Sequence, residues 1–303
     1  MKLHTLLESP APELGAALEQ FEKQFTYPLG PSASFSISHG RDYTTFFRAI
    51  GEATVLVAEE EGRVLATLAA ILRPLRFPDG RIEKVAYLAD LKMDRNVRHK
   101  LPPFLMAMTQ SMKSLASCGY AVVMDGTRST PNYYTGRSGI PAFQPVAQLT
   151  VLTLTTRDFP QRDCGEPWQE RRPLDAFVPL DGQPGVRSEM VPQSLGFQGA
   201  CGLLEDTRLG KRLLRNGQEE MRAAHLSRFS YRHETAAAGL LEQASLRCFR
   251  AGIPTLFACL PQGAATRLLP HMAHFTLTPA PATVFACGFE TTGSDWWVDS
   301  AEI

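Results

Sequence analysis

One order of elements occurs twice along this 303-residue chain, and few architectures accommodate it. In the first half a strand pattern at 82–93 (IEKVAYLADLKM) runs into a basic turn, Arg95-Asn-Val-Arg-His-Lys100. A helix pattern follows over 102–117, then Gly119 and a buried strand pattern at 120–125 (YAVVMD). In the second half the strand pattern RAAHLSRFS at 222–230 leads to Arg232, a helix pattern covers 235–250, and Gly252 opens an apolar strand reaching Leu260. The two copies are offset by roughly 133 residues, and a repeat of this kind governs the fold class. Strands alternating with helices specify an α/β architecture. The expectation is a tandem pair of mixed, twisted β-sheets flanked by helices. One unit spans 1–156 and the other 190–303. Between them 157–189 loses periodicity in favour of Pro, Asp, Arg and Gly and reads as a linker, although Trp168 and Phe177 imply that it packs against something. The length suits two domains.

Around this repeat the patterning supplies the remaining elements. Leu14, Ala17, Leu18, Phe21 and Phe25 share one face of a helix over 12–25. A Pro/Gly/Ser-rich loop at 28–38 precedes a short helix within 42–50. Strands at 54–58 and 63–72 form a hairpin turned by Gly62, and Pro78-Asp79-Gly80 marks a further turn. Pro102 suits the first turn of the helix after the basic segment, and Gly119 its C-terminal cap. An alternating strand is expected at 148–156, with tail strands at 283–288 and 296–298.

Lys+Arg and Asp+Glu are both 31, so the chain lacks the bulk positive charge that non-specific nucleic-acid binding needs. No segment approaches the apolar length of a membrane span, and the N-terminus shows no long apolar core of a signal peptide. Six scattered cysteines without a C-x-x-C pair read as isolated thiols in a reducing compartment. The expected location is the cytoplasm, with neither nucleic acid nor membrane as partner.

Both halves set a basic turn between a strand and a helix start. A helix N-terminus presents unpaired N–H groups and partial positive charge, which together seat a pyrophosphate. Arg95, Arg98, His99 and Lys100 make the first turn the more cationic. A solvated basic turn that binds nothing is the alternative. His271 and His274 form H-x-x-H with no third ligand nearby in sequence, so no metal is expected. Cys118 reads as a small buried hydrophobe, Arg171–Arg172 as a solvated pair, and Trp296–Trp297 as sheet packing or a subunit interface. No Walker loop, nucleophile elbow or dinucleotide fingerprint is present.

The order helix, helix, hairpin, long strand, basic turn, helix, strand resembles the GNAT superfamily of N-acetyltransferases in its tandem-domain form. Residues 88–106 resemble that superfamily's fourth strand, pyrophosphate loop and third helix. Against its loop pattern Q/R-x-x-G-x-G/A, the first half sets Arg98, Leu101 and Pro103. The second half sets Arg232, Thr235 and Ala237 within Arg-His-Glu-Thr-Ala-Ala. Leu101 adds a side chain where glycine lets the backbone approach a phosphate, and Pro102 and Pro103 each remove a donor. The second loop keeps its donors, but Glu234 sets a negative charge beside them.

The resemblance implies acyl transfer from acetyl-CoA, or another acyl-CoA, to a primary amine by direct attack in a ternary complex. Acyl-CoA would lie against Leu91, Lys92, Met93, Arg98, His99, Lys100, Leu101 and Asn132, with the backbone at Leu91 and Met93 polarising the thioester carbonyl. The second half offers Arg232, His233, Thr235 and Ala237 as the alternative cradle. Asp90 is the expected base or water anchor, with a surface-facing structural Asp as the alternative. Tyr134, or else Tyr133, is the expected proton donor to the departing thiolate. The acceptor would be a small-molecule or peptide amine, and a homodimer is left open. Two rivals stand beside this reading: a non-catalytic acyl-CoA-binding or scaffold protein with a degenerate fold, and an aminoacyl transferase.

Overall fold

The structure, a computed structural model, describes residues 1–29, 33–94, 96, 103–104, 106–107, 109–110, 116–127, 130–136, 140–162, 172–180, 182–217, 219–289 and 293–303. In chain order its strands are β1 (Lys2–Leu6), β2 (Tyr27–Leu29), β3 (Ala33–Ser38), β4 (Glu52–Glu60), β5 (Arg63–Arg76), β6 (Ile82–Met93), β7 (Gly119–Met124) and β8 (Gln144–Thr155). They continue as β9 (Val178–Pro179), β10 (Gln193–Phe197), β11 (Ala200–Glu205), β12 (Arg212–Arg215), β13 (Glu219–Glu220), β14 (Ala223–Tyr231), β15 (Thr255–Pro261) and β16 (Leu277–Cys287). The helices are α1 (Pro12–Glu22), α2 (Thr45–Arg48), α3 (Pro131–Tyr134), α4 (Pro184–Arg187), α5 (Glu234–Arg250) and α6 (Gln262–Leu268).

The two halves share one sheet. Its order is β1-β4-β5-β6-β7-β16-β8-β15-β14-β11-β10, with β9 beside β5. The halves exchange their last strands: β16 pairs with β7 of the first half, and β8 pairs with β15 of the second. β8 and β16 then pair with each other across the centre. Strands so placed are covered on both faces, which is why β5 reads as a nearly unbroken apolar run and is buried from Val64 to Ile71. A small sheet, β13-β12-β3-β2, ties the halves together a second time.

Helix α5 also lies deep in the protein, with most of its residues buried. At Gly239 an added Cβ would stand 2.3 Å from the Phe197 ring, so glycine permits β10 to close on the helix.

Two local expectations are corrected. Gly119 does not cap a helix; it begins β7, where it pairs with Ala86 and an added Cβ would come within 3.3 Å of the Ala86 carbonyl oxygen. Residues 296–298 form no strand: Trp296 makes one isolated bridge to Phe177, because its ring stacks on Phe177 at 4.6 Å and holds the segment against the core. Trp296 and Trp297 are both buried within the chain, as packing elements. The expected helix over 102–117 is helical at its described residues 103–104, 106–107 and 109–110; the remainder of its helical span lies outside the described residues.

Candidate active site

Strands β6 and β7 run parallel but pair only at Ala86–Gly119 and Tyr87–Tyr120. Beyond these residues β6 pairs with β5 alone, and β7 with β16 alone. A bulge accompanies the separation. Thr67 stands opposite Lys92 and Ala69 opposite Ala89, so Asp90 and Leu91 together face Leu68. Asp90 has a φ of 56°, a left-handed conformation that costs a non-glycine residue roughly 1–2 kcal/mol. A bulge bends its strand and re-aims the residues beside it. The result is a V lined by residues 88–91 on one arm and 122–124 on the other, all half-exposed. Two strand edges without a partner strand can accept an extended chain between them.

The second half repeats this geometry. Strands β14 and β15 are parallel and pair only from Ala223–Thr255 to His225–Phe257. Strand β14 is bulged against β11 between Ser227 and Ser230, and Arg228 there has a φ of 51°. Asp90 and Arg228 each lie three residues beyond the last parallel pair of their strand, Tyr87–Tyr120 and His225–Phe257, so the strained residue itself is repeated in the structure. This second V is sealed. Residues 300–302 form a turn of helix against both strands, the Arg228 N–H donates to Asp299 Oδ1 at 2.7 Å, and His225 Nδ1 lies 3.1 Å from Ser300 Oγ. Arg73 clamps the same segment bidentately through Glu302, at 2.5 and 3.2 Å, and the Tyr87 hydroxyl donates to the Glu302 carbonyl at 2.6 Å.

A buried ionic cluster backs the bulge of the first V. The Lys92 ammonium donates to Glu22 Oε1 at 2.8 Å and to Asp90 Oδ1 at 2.7 Å. The Tyr43 hydroxyl donates to Asp90 as well, and His39 bonds Glu22 through its backbone N–H and Nδ1 at 2.8 and 2.7 Å. Burial would raise the Asp90 carboxyl, but Lys92 and His39 outweigh it and hold Asp90 below the usual carboxylate range. For Glu22, burial is likewise outweighed, by His39 and Lys92. Ligand atoms of Glu22, His39 and Asp90 lie within 4.8 Å of one another, a spacing a metal could use, but the Lys92 ammonium already bridges the two carboxylates.

The small sheet brings Lys211 to the same region, since Arg212 pairs with Ser38 next to His39. Its ammonium donates to the Ala301 and Ile303 carbonyls at 3.3 and 2.7 Å and lies 4.5 Å above the Phe46 ring. Burial, reinforced by Arg187, pushes the Lys211 amine down to about 7.

The structure thus gathers part of the expected site. Leu91 and Met93 lie on the bulged arm, half-exposed. The Lys92 side chain turns into the ionic cluster and is unavailable to a phosphate. Asp90 is not surface-facing, and a carboxylate paired with Lys92 and Tyr43 is a weak proton acceptor. Arg98, His99, Lys100 and Leu101 lie outside the described residues. Asn132 is exposed on α3, its Oδ1 accepting from the Thr130 hydroxyl at 2.6 Å; Tyr133 is exposed, and Tyr134 ends the helix, its side chain outside the described residues.

In the second half Arg232, His233 and Thr235 are exposed at the start of α5, Ala237 is buried, and Glu234 pairs with Arg267 at 3.3 Å. His274 bonds Glu242 at 2.8 Å. Cys118 is half-buried and donates to the Gly288 carbonyl at 2.9 Å. Arg172 is buried rather than solvated. Glu22, His39, Tyr43 and Lys211 escaped the sequence reading. The one local signal was Lys92, a charge between Leu91 and Met93.

No protein-family profile matches the chain. No curated protein matches it either. Solved structures do. N-myristoyltransferase of Saccharomyces cerevisiae, with bound myristoyl-CoA and inhibitors, is similar over 99% of this chain and 83% of its own, with a TM-score of 0.59 at 10% identity. The fold is the GNAT fold in tandem form. An acetyltransferase candidate from Pyrococcus horikoshii is similar over 95% of this chain and 90% of its own (TM-score 0.55, 9% identity). A probable N-acyltransferase from Enterococcus faecalis V583 covers 94% and 72% (TM-score 0.51, 9% identity). In this fold the two parallel strand pairs and their bulges are the repeated centres. Among the described residues, no helix is long and apolar enough to cross a membrane.

Proposed function

We propose that this chain is an acyl-CoA-dependent N-acyltransferase whose donor lies between β6 and β7. The observation that carries the reading is a first V that no described residue fills, beside a second one sealed by residues 299–302. An extended pantetheine arm can pair with strand edges, and the first half leaves such edges half-exposed at 88–91 and 122–124. The basic segment that follows β6 in the sequence supplies charge for the pyrophosphate through Arg98, His99 and Lys100. Structural neighbours that include an enzyme with bound myristoyl-CoA support an acyl-CoA donor of some chain length. Acetyl-CoA is our first choice, and the first unit, 1–156, is the one that binds it.

In the reaction the neutral acceptor amine attacks the thioester carbonyl carbon, a C–N bond forms, and the C–S bond breaks. Backbone N–H groups near Leu91 stabilise the developing oxyanion, since the bulge turns that part of β6 out of its ladder. Tyr134 gives its proton to the leaving thiolate. The ammonium proton of the acceptor passes to water, because Asp90 is held ionised by Lys92 and acts as the anchor of the bulge. The sealed second V favours one active centre per chain, with the second half completing the sheet.

Calorimetric titration with acetyl-CoA and with longer acyl-CoAs tests this directly. Saturable heat and a raised Tm are expected, about 2.7 kcal/mol of added stability at a hundredfold excess over Kd. Absence of both at millimolar ligand for every chain length would overturn the reading.

A further inference from the structure

In the run 64–72 of β5, VLATLAAIL, Thr67 is the one polar residue, and its side chain is fully buried. A buried hydroxyl needs hydrogen-bond partners, and those of Thr67 lie at the bulge. Thr67 Oγ1 donates to the Asp90 carbonyl at 3.2 Å. The Tyr43 hydroxyl, also fully buried, stands 3.3 Å from Thr67 Oγ1 and donates to the Asp90 carboxylate. Lys92, opposite Thr67 in the ladder, bonds the same carboxylate. Asp90 is thus held at its carbonyl and at its side chain. A left-handed non-glycine residue persists only where its surroundings over-determine it, and these bonds do so.

The bond to the carbonyl fixes a peptide plane. The Asp90–Leu91 peptide is trans, so its N–H is antiparallel to its C=O. With the carbonyl drawn to Thr67, the Leu91 N–H faces away from Thr67. The second bulge is gripped by the opposite kind of group. There the Arg228 N–H donates to Asp299 Oδ1 at 2.7 Å, so a donor of that bulge is spent on a carboxylate of the chain itself. The first bulge is gripped by its carbonyl, the second by an N–H.

From this arrangement we infer that Thr67 is a positioning residue for acyl transfer. Its hydroxyl, braced by Tyr43, fixes the Asp90–Leu91 peptide so that the Leu91 N–H meets the thioester carbonyl oxygen of acyl-CoA. The inference rests on the acyltransferase reading and adds to it the group that sets the direction of the oxyanion donor. A donor fixed in advance costs no reorganisation as charge develops on the oxygen, an advantage that a peptide free to rotate would lose.

The test is calorimetric titration of the full chain with two matched pairs, acetyl-CoA against S-ethyl-CoA and myristoyl-CoA against S-tetradecyl-CoA. Each thioether has a methylene in place of the carbonyl, so the ratio of Kd values within a pair isolates the contact with that oxygen. In the wild type at least one pair should favour the thioester by roughly fivefold or more, the worth of one hydrogen bond. Thr67→Val should abolish that preference while thioether binding stays within about twofold, and Thr67→Ser, which keeps the hydroxyl, should restore it. Tyr43→Phe should narrow the preference too, and gives the readout should Thr67→Val fail to fold. A preference unchanged in these variants would overturn the inference and leave donor binding standing. Equal weakening of both members of a pair would overturn it as well, since Thr67 would then be merely structural. So would a wild type that binds thioester and thioether alike. Failure of all four compounds to bind would remove the acyltransferase reading, and this inference with it.

Discussion

At the scale of single residues, Lys92 and Lys211 show opposite ways of burying an ammonium. Lys92 faces two carboxylates, so removing it leaves both buried without their shared cation. Lys92→Met is expected to destabilise the fold by about 3–5 kcal/mol, measurable by denaturant unfolding. Lys211 faces carbonyls and a ring, with Arg187 and Lys92 opposing its charge and Asp90 and Glu302 favouring it. Its folded value of about 7 lies below the unfolded one, near 10.5, so the unfolded chain binds more protons between these limits. Stability should therefore rise with pH from about 7 towards 10, on the order of a few kcal/mol. Lys211→Met should flatten that rise in a series of Tm values. A wild-type Tm flat over the same range would show that Lys211 titrates normally. Such residues were hard to find in the sequence because a buried lysine differs from a surface one only in its neighbours, and those come from α1, β3 and the tail.

At the scale of elements, the decisive object is the bulge on β6. Its strand was legible to the residue, since Ile82–Met93 carries a continuous strand pattern. The bulge was not, because it depends on register with β5. The expected hairpin appeared as β4 and β5, turned at Gly62 with φ of 77°. The small sheet was missed: β2 and β3 lie in a stretch rich in Pro and Ser, and β12 and β13 are short, polar strands. The first basic turn is expected to carry the phosphate. Combined Arg98→Ala and Lys100→Ala should weaken acyl-CoA binding roughly tenfold or more, whereas Arg232→Ala should leave it unchanged. The reverse pattern would transfer the donor to the second half. Tyr134→Phe should lower kcat with little change in donor affinity, and an equal loss in both would make it a binding residue.

For the whole molecule, the repeat visible in the sequence correctly announced two related halves, but not that they exchange strands. Pairing of β7 with β16 and of β8 with β15 brings together residues a hundred or more positions apart, and no local pattern encodes it. The consequence is cooperativity. Arg73 on β5 and Glu302 at the far end of the chain form a buried bidentate pair, each almost fully enclosed. Glu302→Ala leaves the arginine charge uncompensated and should cost about 3–5 kcal/mol. The loss should appear as one unfolding transition probed equally in both halves; two separated transitions would mean that the units fold independently.

The central claim is that acyl-CoA occupies the gap beside the Asp90 bulge and leaves its counterpart untouched. Amide hydrogen exchange with and without saturating acyl-CoA measures this most directly. Protection is predicted at 88–93 and 121–124, with none gained at 226–231 or 258–261. Protection confined to the second pair of strands, or absent from both under saturation, would contradict it.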